Sequence, residues 1–390
     1  MYALLLIIIY IAFISLGLPD SLLGSAWPVM YGQLNVPMSY AGIITMIIAG
    51  GTIVSSLMTD RLTRKLGTGF IMLISVMMTA AALFGFSVSH SFILLCLWAV
   101  PYGLGAGAVD AALNNYVALH YAARHMSWLH SFWGVGAAVS PYIMGYCLVG
   151  GRGWNSGYRS VAIVQFILTG ILFLSLPLWK RKRINDSDSQ AAAALSLRKV
   201  MKKRGVNFIL LTFFGYCALE STAGLWASSY LVEFRGIGSE TAATFASLFF
   251  LGITFGRFLC GFISEKIGDK LLTRYGIVII ICGVVFISLP GAGDATALAG
   301  LVITGLGCSP VYPSVIHSTP SNFGKENAKA IIGIQMASAY TGSTFIPPLF
   351  GLIADHVHIG LFPLFLIFFA MLMLLMSEKL NKIIAKKPGG

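Results

Sequence analysis

The stretch GTIVSSLMTDRLTRKLG at residues 51–67 decides the fold, because GRFLCGFISEKIGDK at residues 256–270 repeats its pattern. In each copy an apolar run with small residues ends in an acidic residue followed by a basic one, and apolar segments flank the copy on both sides. A charged turn between two long apolar segments is typical of neighbouring helices in a membrane protein. The repeat therefore predicts two similar halves, each built from membrane-spanning helices.

Three further pairs of short motifs follow in the same order in the two halves. They are DSLLG (20–24) with ESTAG (220–224), Gly103-Leu104-Gly105 with Gly305-Leu306-Gly307, and Gly136, Pro141 and Gly145 with Gly342, Pro347 and Gly351. Together with the first pair, which we align as Gly51 with Gly256, the offsets lie between 200 and 206 residues. Internal repeats of this size are the mark of secondary transporters, whose substrate site lies near the bilayer midplane between the halves.

The composition excludes a soluble protein. Hydrophobic residues make up 57% and charged residues 10% of the 390 residues, whereas a soluble domain carries roughly 25% charged residues. Backbone polar groups in hydrocarbon must be satisfied within the segment, so the apolar runs are predicted to be helices. Twelve such segments lie near 3–29, 38–59, 68–88, 91–119, 126–149, 157–179, 206–230, 240–264, 271–290, 296–318, 327–353 and 358–377.

We therefore predict an all-α membrane protein with twelve transmembrane helices in two pseudo-symmetric six-helix halves. The halves are predicted to span 1–179 and 206–377, with a cytoplasmic linker at 180–205 and a cytoplasmic tail at 378–390. The chain has no phosphate loop of the GxxxxGK type and no catalytic serine or cysteine constellation. The sequence thus predicts neither an enzyme nor a cofactor, and no cluster has the spacing of a metal site.

The basic residues set the predicted orientation. Of the 26 lysines and arginines, 22 fall in the linker, the tail and the loops on the same side as the two ends of the chain. Basic residues accumulate on the cytoplasmic side of membrane proteins, so both termini are predicted to be cytoplasmic and the protein to lie in the cytoplasmic (inner) membrane. The net charge of +12 is therefore a topology signal and not a nucleic-acid footprint. The loop with Asp355, His356 and His358, on the other side, is predicted to be solvated.

Charged side chains inside membrane segments are costly and mark functional sites. In the first segment Asp20, Gly24 and Trp27 fall on one face of a helix, and Pro19 is predicted to kink it. A carboxylate and an indole on one stripe would suit the wall of a cavity, with the indole stacked on a sugar ring. The alternative is a structural, solvated aspartate near the outer surface.

The fourth segment carries Asp110 beside Asn114 and Asn115. A buried carboxyl group next to amides can carry a proton and bind a polar ligand, although it could also serve only to join helices. His130 and Trp133 share a stripe on the fifth segment, where the imidazole could relay protons or could be a packed core residue.

The second half offers fewer polar candidates. Glu220 repeats the position of Asp20, and Gln335 is a further candidate for the cavity, though each could be a packing residue. Arg257, in the eighth segment, requires an acidic or carbonyl partner, which the sequence does not identify. His317 is a titratable residue in the tenth segment.

The stretch SLMTDRLTRKLG (56–67) resembles the loop signature of the major facilitator superfamily, and GFISEKIGDK (261–270) resembles a second copy of it. The first copy has Ser56 and Thr63 where the signature has glycine, and the second has Asp269 at a basic position. In that family the loop acid and its basic neighbours brace the cytoplasmic side and gate the change between outward- and inward-facing states. The resemblance implies this gating role for Asp60, Arg61, Arg64, Glu265 and Lys266.

Within the superfamily the chain is similar to the fucose/glucose–proton symporter branch. The similarity rests on Asp20, on Asp110 near Asn114, and on HSFWGVGAAVSP in the fifth segment. It implies that the two acids couple protons to sugar binding, although this branch carries glutamate where this chain has Asp110. The Gly/Pro pattern of the fifth segment also resembles a motif of drug–proton antiporters, which leaves the direction of coupling open.

The combined prediction is a monomeric secondary transporter that moves a small solute by alternating access, with proton-coupled sugar symport as the first hypothesis. Asp20, Asp110, His130 and Glu220 are the predicted proton-coupling residues. The predicted substrate-binding residues are Asp20, Trp27, Asn114, Asn115, His130, Trp133 and Gln335. Two alternatives remain: a proton-driven efflux antiporter for amphiphilic compounds, and a transporter-like sensor that binds solute without moving it.

Overall fold

The structure, a computed structural model, describes residues 2–120, 123–179, 203–289 and 293–385. Most of the predicted linker and the last five residues of the predicted tail lie outside these ranges. The described residues form long helices joined by short turns, as expected for a chain whose backbone must satisfy its own polar groups in hydrocarbon.

Twelve long helices cross the bundle. The first, α1, has two stretches, Tyr2–Asp20 and Leu22–Gln33. The others are α2 (Tyr40–Leu66), α3 (Thr68–Val88), α4 (Phe92–His120), α5 (Ala123–Val149), α6 (Gly153–Ser175), α7 (Val206–Glu233), α8 (Ser239–Ile267), α9 (Asp269–Ser288), α10 (Gly293–His317), α11 (Lys325–Ile353) and α12 (Phe362–Ala385). A short helix, Thr319–Phe323, connects α10 with α11.

The predicted number of spans agrees with this architecture. Ten segments of the described chain are long and apolar enough to cross a membrane, and the last of them, Ile331–Ala385, contains most of α11 together with α12. The apolar part of α2, Tyr40–Ser56, is shorter because charged residues occupy the end of this helix. Counting α2, and counting α11 and α12 separately, gives the twelve helices that the sequence predicts.

The helices end at two opposite faces of the bundle. The basic face carries the turns at Gly67, Gly268 and Gly324, where the sequence places most of its lysines and arginines. The opposite face carries the connections 34–39, 150–152, 234–238 and 354–361.

Glycines show that the two halves pack in the same way. A Cβ on Gly136 of α5 would lie 2.0 Å from the carbonyl oxygen of Ile14 in α1. The equivalent Gly342 of α11 would place its Cβ 2.6 Å from the carbonyl oxygen of Phe214 in α7. Ile14 and Phe214 are 200 residues apart, and the two glycines are 206 apart, which are the offsets that the sequence predicts. These close helix contacts require residues without a side chain.

The same comparison corrects the predicted register of α2 and α8. Gly51 packs against Gly103 of α4, whereas Gly252, and not Gly256, packs against Gly305 of α10. The true offset between α2 and α8 is therefore 201 (51 against 252), and the predicted alignment is shifted by four residues. Gly67 and Gly268 confirm the new register, since they end α2 and α8 with φ of 84° and 80°.

The halves contact each other from the middle of the bundle to the opposite face. Gly24 of α1 meets Gly224 of α7, and because these are equivalent positions the contact lies on the pseudo-two-fold axis. Closer to the opposite face, α5 packs on α8 at Gly145, and α2 packs on α11 at Gly42. Backbones approach closely at all three glycines, so this side of the bundle is closed.

Two hydrogen bonds between the halves reinforce the closed face. The Tyr31 hydroxyl donates to Glu233 Oε1 at 2.5 Å, and the Ser39 backbone N–H donates to Asp355 Oδ2 at 2.9 Å. Asp355, His356 and His358 are exposed, as predicted for this loop, and Asp355 has a further role. Its carboxylate joins the first half to the second.

Candidate transport site

Asp20 lies where α1 is interrupted at the centre of the bundle. Pro19 has no N–H and leaves the carbonyl of Ser15, one turn earlier, without its helical donor. The Gln165 side chain of α6 supplies that donor at 2.5 Å, and its oxygen accepts a hydrogen bond from the Ser15 hydroxyl at 2.7 Å. On the other side of the interruption, the Ser21 hydroxyl donates to the Ala137 carbonyl of α5 at 2.7 Å. The break in α1 is therefore held by neighbouring helices.

The Asp20 side chain is exposed although it lies in the middle of the bundle, between buried neighbours in the sequence. Trp133 Nε1 donates to Asp20 Oδ2 at 2.7 Å, and the Tyr102 hydroxyl donates to Oδ1 at 3.3 Å. The exposed carboxylate is therefore a candidate for the wall of the cavity that the sequence predicts. Both of these partners are neutral donors.

Glu220, at the equivalent position in α7, has a cationic partner. Arg257 of α8 donates to Glu220 Oε1 at 3.3 Å, and the two side chains are only 13% and 17% exposed. The guanidinium also lies 3.5 Å from the Tyr216 hydroxyl. Glu220 is thus the partner of Arg257 that the sequence leaves unidentified. A charge pair in this position is expected, because an unpaired charge in hydrocarbon is costly.

Trp133 lies between these two acidic sites. Its ring centroid is 5.6 Å from Arg257 Cζ, within the range of a cation–π interaction. Phe250, also on α8, lies nearly perpendicular to the indole, with ring centroids 6.5 Å apart. The structure therefore brings Asp20, Trp133, Glu220 and Arg257 together across the boundary between the halves.

Asp110 and Asn114 form a pair on α4. Asn114 Nδ2 donates to Asp110 Oδ1 at 2.8 Å and to the Asp110 carbonyl at 2.9 Å. Both side chains are half-buried, and one turn away α4 packs closely against α2 at Gly107. The predicted juxtaposition of the carboxyl group with an amide is present. The side chain of Asn115 lies outside the described part of the chain.

Trp27 and Gln335 do not agree with their predicted place in the cavity. Both are fully buried. The Trp27 indole donates to the Met38 carbonyl at 2.6 Å, towards the opposite face, and Gln335 accepts a hydrogen bond from Thr319 at 3.0 Å. Trp27 instead packs in the hydrophobic core, about two helical turns beyond Asp20.

The two histidines occupy different environments. His130 is half-buried and meets Phe13 edge-on, with ring centroids 5.7 Å apart. His317, which the sequence places inside the membrane, lies instead at the end of α10 on the basic face. Its side chain is 84% exposed and pairs with Asp269 at 2.7 Å. His130 therefore remains a candidate for the site, and His317 does not.

The predicted gating residues lie at the basic-face ends of α2 and α8. The side chains of Asp60, Arg61, Arg64 and Glu265 fall outside the described part of the structure, and Lys266 is exposed. In the corrected register Lys65 is the counterpart of Lys266, and Arg64 is the counterpart of Glu265. Asp60 therefore lies one helical turn before the position that corresponds to the second acid.

Three residues near the two acids were not predicted from the sequence. Tyr102 and Tyr216 each stand beside one of the acids, and Gln165 holds the break in α1. None of these residues is charged, and none shares a predicted helical stripe or a repeated position with the acids. Pro19 predicted a kink in α1, but the sequence does not show that Gln165 of α6 supplies a donor to the Ser15 carbonyl.

Comparison with known proteins identifies the family of this chain. Residues 9–345 match the family model described as Major Facilitator Superfamily. The chain belongs to the major facilitator superfamily. It is therefore a multi-pass membrane transporter and not an enzyme, as the sequence predicts.

Relatives in this superfamily are distant and differ in their substrates. Bypass of stop codon protein 6 of Saccharomyces cerevisiae is 23% identical over 390 residues, covering 91% of this chain and 78% of that protein. The glucose/mannose transporter GlcP of Bacillus subtilis is 20% identical and covers 88% of this chain and 86% of its own length. The cis,cis-muconate transport protein of Acinetobacter baylyi is 22% identical, with coverage of 84% and 82%.

Solved structures confirm the fold. A bacterial homologue of the human lysosomal transporter Spinster, in an inward-facing and unoccupied conformation, superposes with a TM-score of 0.78 at 14% identity and covers 99% of both chains. The nucleoside transporter NupG superposes with a TM-score of 0.77 at 13% identity and covers 96% of this chain and 98% of its own.

Proposed function

We propose that this transporter is a proton-coupled symporter for a neutral, hydroxyl-rich solute such as a sugar. It would lie in the cytoplasmic membrane as a monomer with both termini in the cytoplasm, and its halves, 1–179 and 206–377, would rock about the central site. The observation that carries the proposal is Asp20, an exposed carboxylate at the middle of the bundle that is held by neutral donors alone among the described side chains.

A carboxylate without a cation is suited to bind and release a proton during transport. In its ionised form Asp20 would have to be enclosed between apolar helices while the halves reorient, which is costly. A proton removes that charge, so the loaded carrier can reorient. Asp110 is proposed as the second proton-linked acid, because its only side-chain partner among the described residues is the amide of Asn114.

The charges of the site favour a neutral substrate. Asp20, Asp110 and Glu220 contribute three carboxylates, and Arg257 contributes one cation that Glu220 already occupies. This surplus of negative charge opposes an organic anion. Hydroxyl groups, in contrast, can donate to the carboxylates, and the face of Trp133 turned away from Arg257 can stack on a sugar ring. Among the relatives, the glucose/mannose transporter therefore offers the better precedent than the muconate protein.

The proposal is tested with lightly buffered, de-energised cells that overexpress the chain. Neutral sugars and their carboxylated counterparts are added one at a time, and the external pH is recorded. We expect alkalinisation with at least one neutral sugar and none with the carboxylates. The signal should be lost in Asp20→Asn and Asp110→Asn and retained in Asp294→Asn, an exposed aspartate at the start of α10.

Three outcomes would contradict the proposal in whole or in part. Silence across the panel, with the protein shown to be folded and inserted, would exclude sugar symport. Proton movement opposite to that of an added amphiphilic compound would indicate efflux instead. A sugar response that survives in both acid variants would remove Asp20 and Asp110 from the coupling mechanism.

A further inference from the structure

One side chain links the acidic sites of the two halves. Trp133 donates its indole N–H to Asp20 at 2.7 Å, and the face of the same ring lies 5.6 Å from the guanidinium of Arg257. Arg257 in turn pairs with Glu220 at 3.3 Å. The edge of the indole therefore contacts the first half, and its face contacts the second.

We propose that Trp133 is a positioning residue that relays the protonation state of Asp20 to the Arg257–Glu220 pair, and so makes closure of the opposite face depend on the proton. The inference rests on Asp20 being the proton site of the proposed function. It goes beyond that function by assigning the coupling between the halves to a single indole.

The direction of the relay follows from the strength of the hydrogen bond. An N–H group binds an ionised carboxylate more strongly than a neutral carboxyl group, because the bond is then charge-assisted. Ionised Asp20 therefore fixes the indole in the orientation that presents its face to Arg257. A proton on Asp20 weakens this bond, frees the ring to rotate, and weakens the contact between the halves.

The close packing of α5 against α8 beside Trp133 couples a rotation of the indole to the position of these helices. The next residue, Gly134, would place a Cβ 2.3 Å from Thr254 Oγ1, so α5 and α8 are in close contact at this level. Because the two helices are this close, we expect a reoriented indole to shift α5 against α8. The closed opposite face depends on that same interface.

The titratable and charged groups around Asp20 are few. The described candidates on the elements packed around it are Tyr102 and Asp110 on α4, His130 on α5, Glu220 on α7 and Arg257 on α8. Arg257 keeps its charge over the physiological range. Variants of Asp110, His130 and Glu220 separate the titration of these three groups from that of Asp20.

The test measures the separation of the halves at the opposite face as a function of pH. Spin labels are placed at Gly32→Cys, where a side chain meets open space, and at Val357→Cys, which is 68% exposed. Cys96, Cys260 and Cys282, which are not fully buried, are replaced by serine. Distance distributions are recorded by double electron–electron resonance on the full chain in nanodiscs, without substrate.

We expect the short distance of this structure to dominate at mildly alkaline pH. Its population should fall by at least about threefold at mildly acidic pH, as protonation shifts the equilibrium towards the open face. Asp20→Asn should show the acidic distribution at every pH. Glu220→Gln, Asp110→Asn and His130→Gln should each keep a pH-dependent transition.

Two variants of Trp133 each remove one of its two contacts. Trp133→Phe keeps an aromatic face for Arg257 but removes the N–H donor, and Trp133→Gln keeps an N–H donor but removes the aromatic face. Each should abolish the pH dependence while the protein remains monodisperse. Trp128→Phe, an exposed tryptophan on the same helix, should behave as wild type.

The relay would be overturned if Trp133→Phe retained the wild-type transition, since Trp133 would then only fill space. A wild-type distribution that does not change with pH, or a transition that survives in Asp20→Asn, would overturn it as well. A relay that passes this test in a chain that gives no sugar-driven alkalinisation would leave the inference standing and reject the proposed function. The two failures are therefore distinguishable.

Discussion

Asp20 and Glu220 occupy equivalent positions in the two halves, 200 residues apart, yet their surroundings differ. Glu220 is paired with Arg257, whereas Asp20 is held by an indole and a phenol. In the corrected register the counterpart of Arg257 is Ser56, whose hydroxyl donates to the Gly107 carbonyl. The repeat therefore places two acids at one level of the bundle. Because the first half has Ser56 where the second has Arg257, only Glu220 has a cationic partner among the described residues.

The backbone differs at the same positions. α1 is interrupted beside Pro19, while α7 runs without interruption from Val206 to Glu233 and has Leu219 at the equivalent place. The half with the uncompensated acid is thus the half with the broken helix. A broken helix can change its geometry near the site at lower cost than a continuous one, as in other transporters with discontinuous helices.

The largest expected effect comes from removing the charge difference. Arg257→Ser gives the second half the residue that the first half carries at this position, and it leaves Glu220 without a cation in a site that is mostly buried. Breaking one partner of a buried ion pair costs about 3–5 kcal/mol. We expect a corresponding loss of stability, measured by thermal unfolding of the purified protein in one fixed detergent.

The double variant Arg257→Ser with Glu220→Gln serves as the control, because it removes the charge that the single variant strands. It should recover most of the lost stability. Equal losses in the single and double variants would show that Arg257 stabilises the protein through other contacts, such as the face of Trp133.

The second prediction concerns the packing that the halves share. Gly136→Ala forces a methyl group to 2.0 Å from a backbone oxygen of α1, and Gly342→Ala forces one to 2.6 Å from a backbone oxygen of α7. Overpacking typically costs about 1–3 kcal/mol, and Gly136→Ala should be the more severe of the two. Gly50→Ala, where a side chain meets open space, should be nearly neutral in the same unfolding assay. Similar stability in all three variants would contradict the shared packing.

The sequence predicts the fold well because hydrophobic length and positional repeats are both properties of the chain itself. The register between α2 and α8 could not be obtained in this way. A shift of four residues keeps a helical residue on the same face, since an α-helix has 3.6 residues per turn. Gly51 therefore matches Gly256 almost as well as Gly252 in sequence, and only the contact with α4 or α10 decides between them.

The candidate site stays a prediction, although the structure brings its central charged residues close together. Charge identified Asp20, Glu220 and Arg257, because charged residues are rare in membrane segments. It could not show that Arg257 pairs with Glu220, since that depends on how α7 and α8 are rotated about their axes. Helical periodicity placed Trp27 on the same stripe as Asp20, but it could not show that the indole is buried and donates to the Met38 carbonyl.

The third prediction concerns the contacts that close the opposite face. Tyr31→Phe removes a hydrogen bond to Glu233 across the halves. Both groups lie near solvent, so we expect a loss of about 1 kcal/mol in the closed state, which is roughly a fivefold shift in population. The spin-label distances at the opposite face measure it. Tyr40→Phe, whose hydroxyl makes no hydrogen bond among the described contacts, is the matched control and should leave the distribution unchanged.

The smallest expected effect lies at the basic face, where the halves differ again. Arg274 of α9 donates two hydrogen bonds to Glu378 of α12, at 2.7 and 2.6 Å, and its counterpart in the first half is Leu73. The two side chains are 38% and 29% exposed, so water and salt screen the pair. Arg274→Leu should therefore cost at most about 1 kcal/mol, and the loss should shrink further in high salt. A loss as large as that of Arg257→Ser would mean that charge compensation at this face, and not at the central acids, is the main difference between the halves.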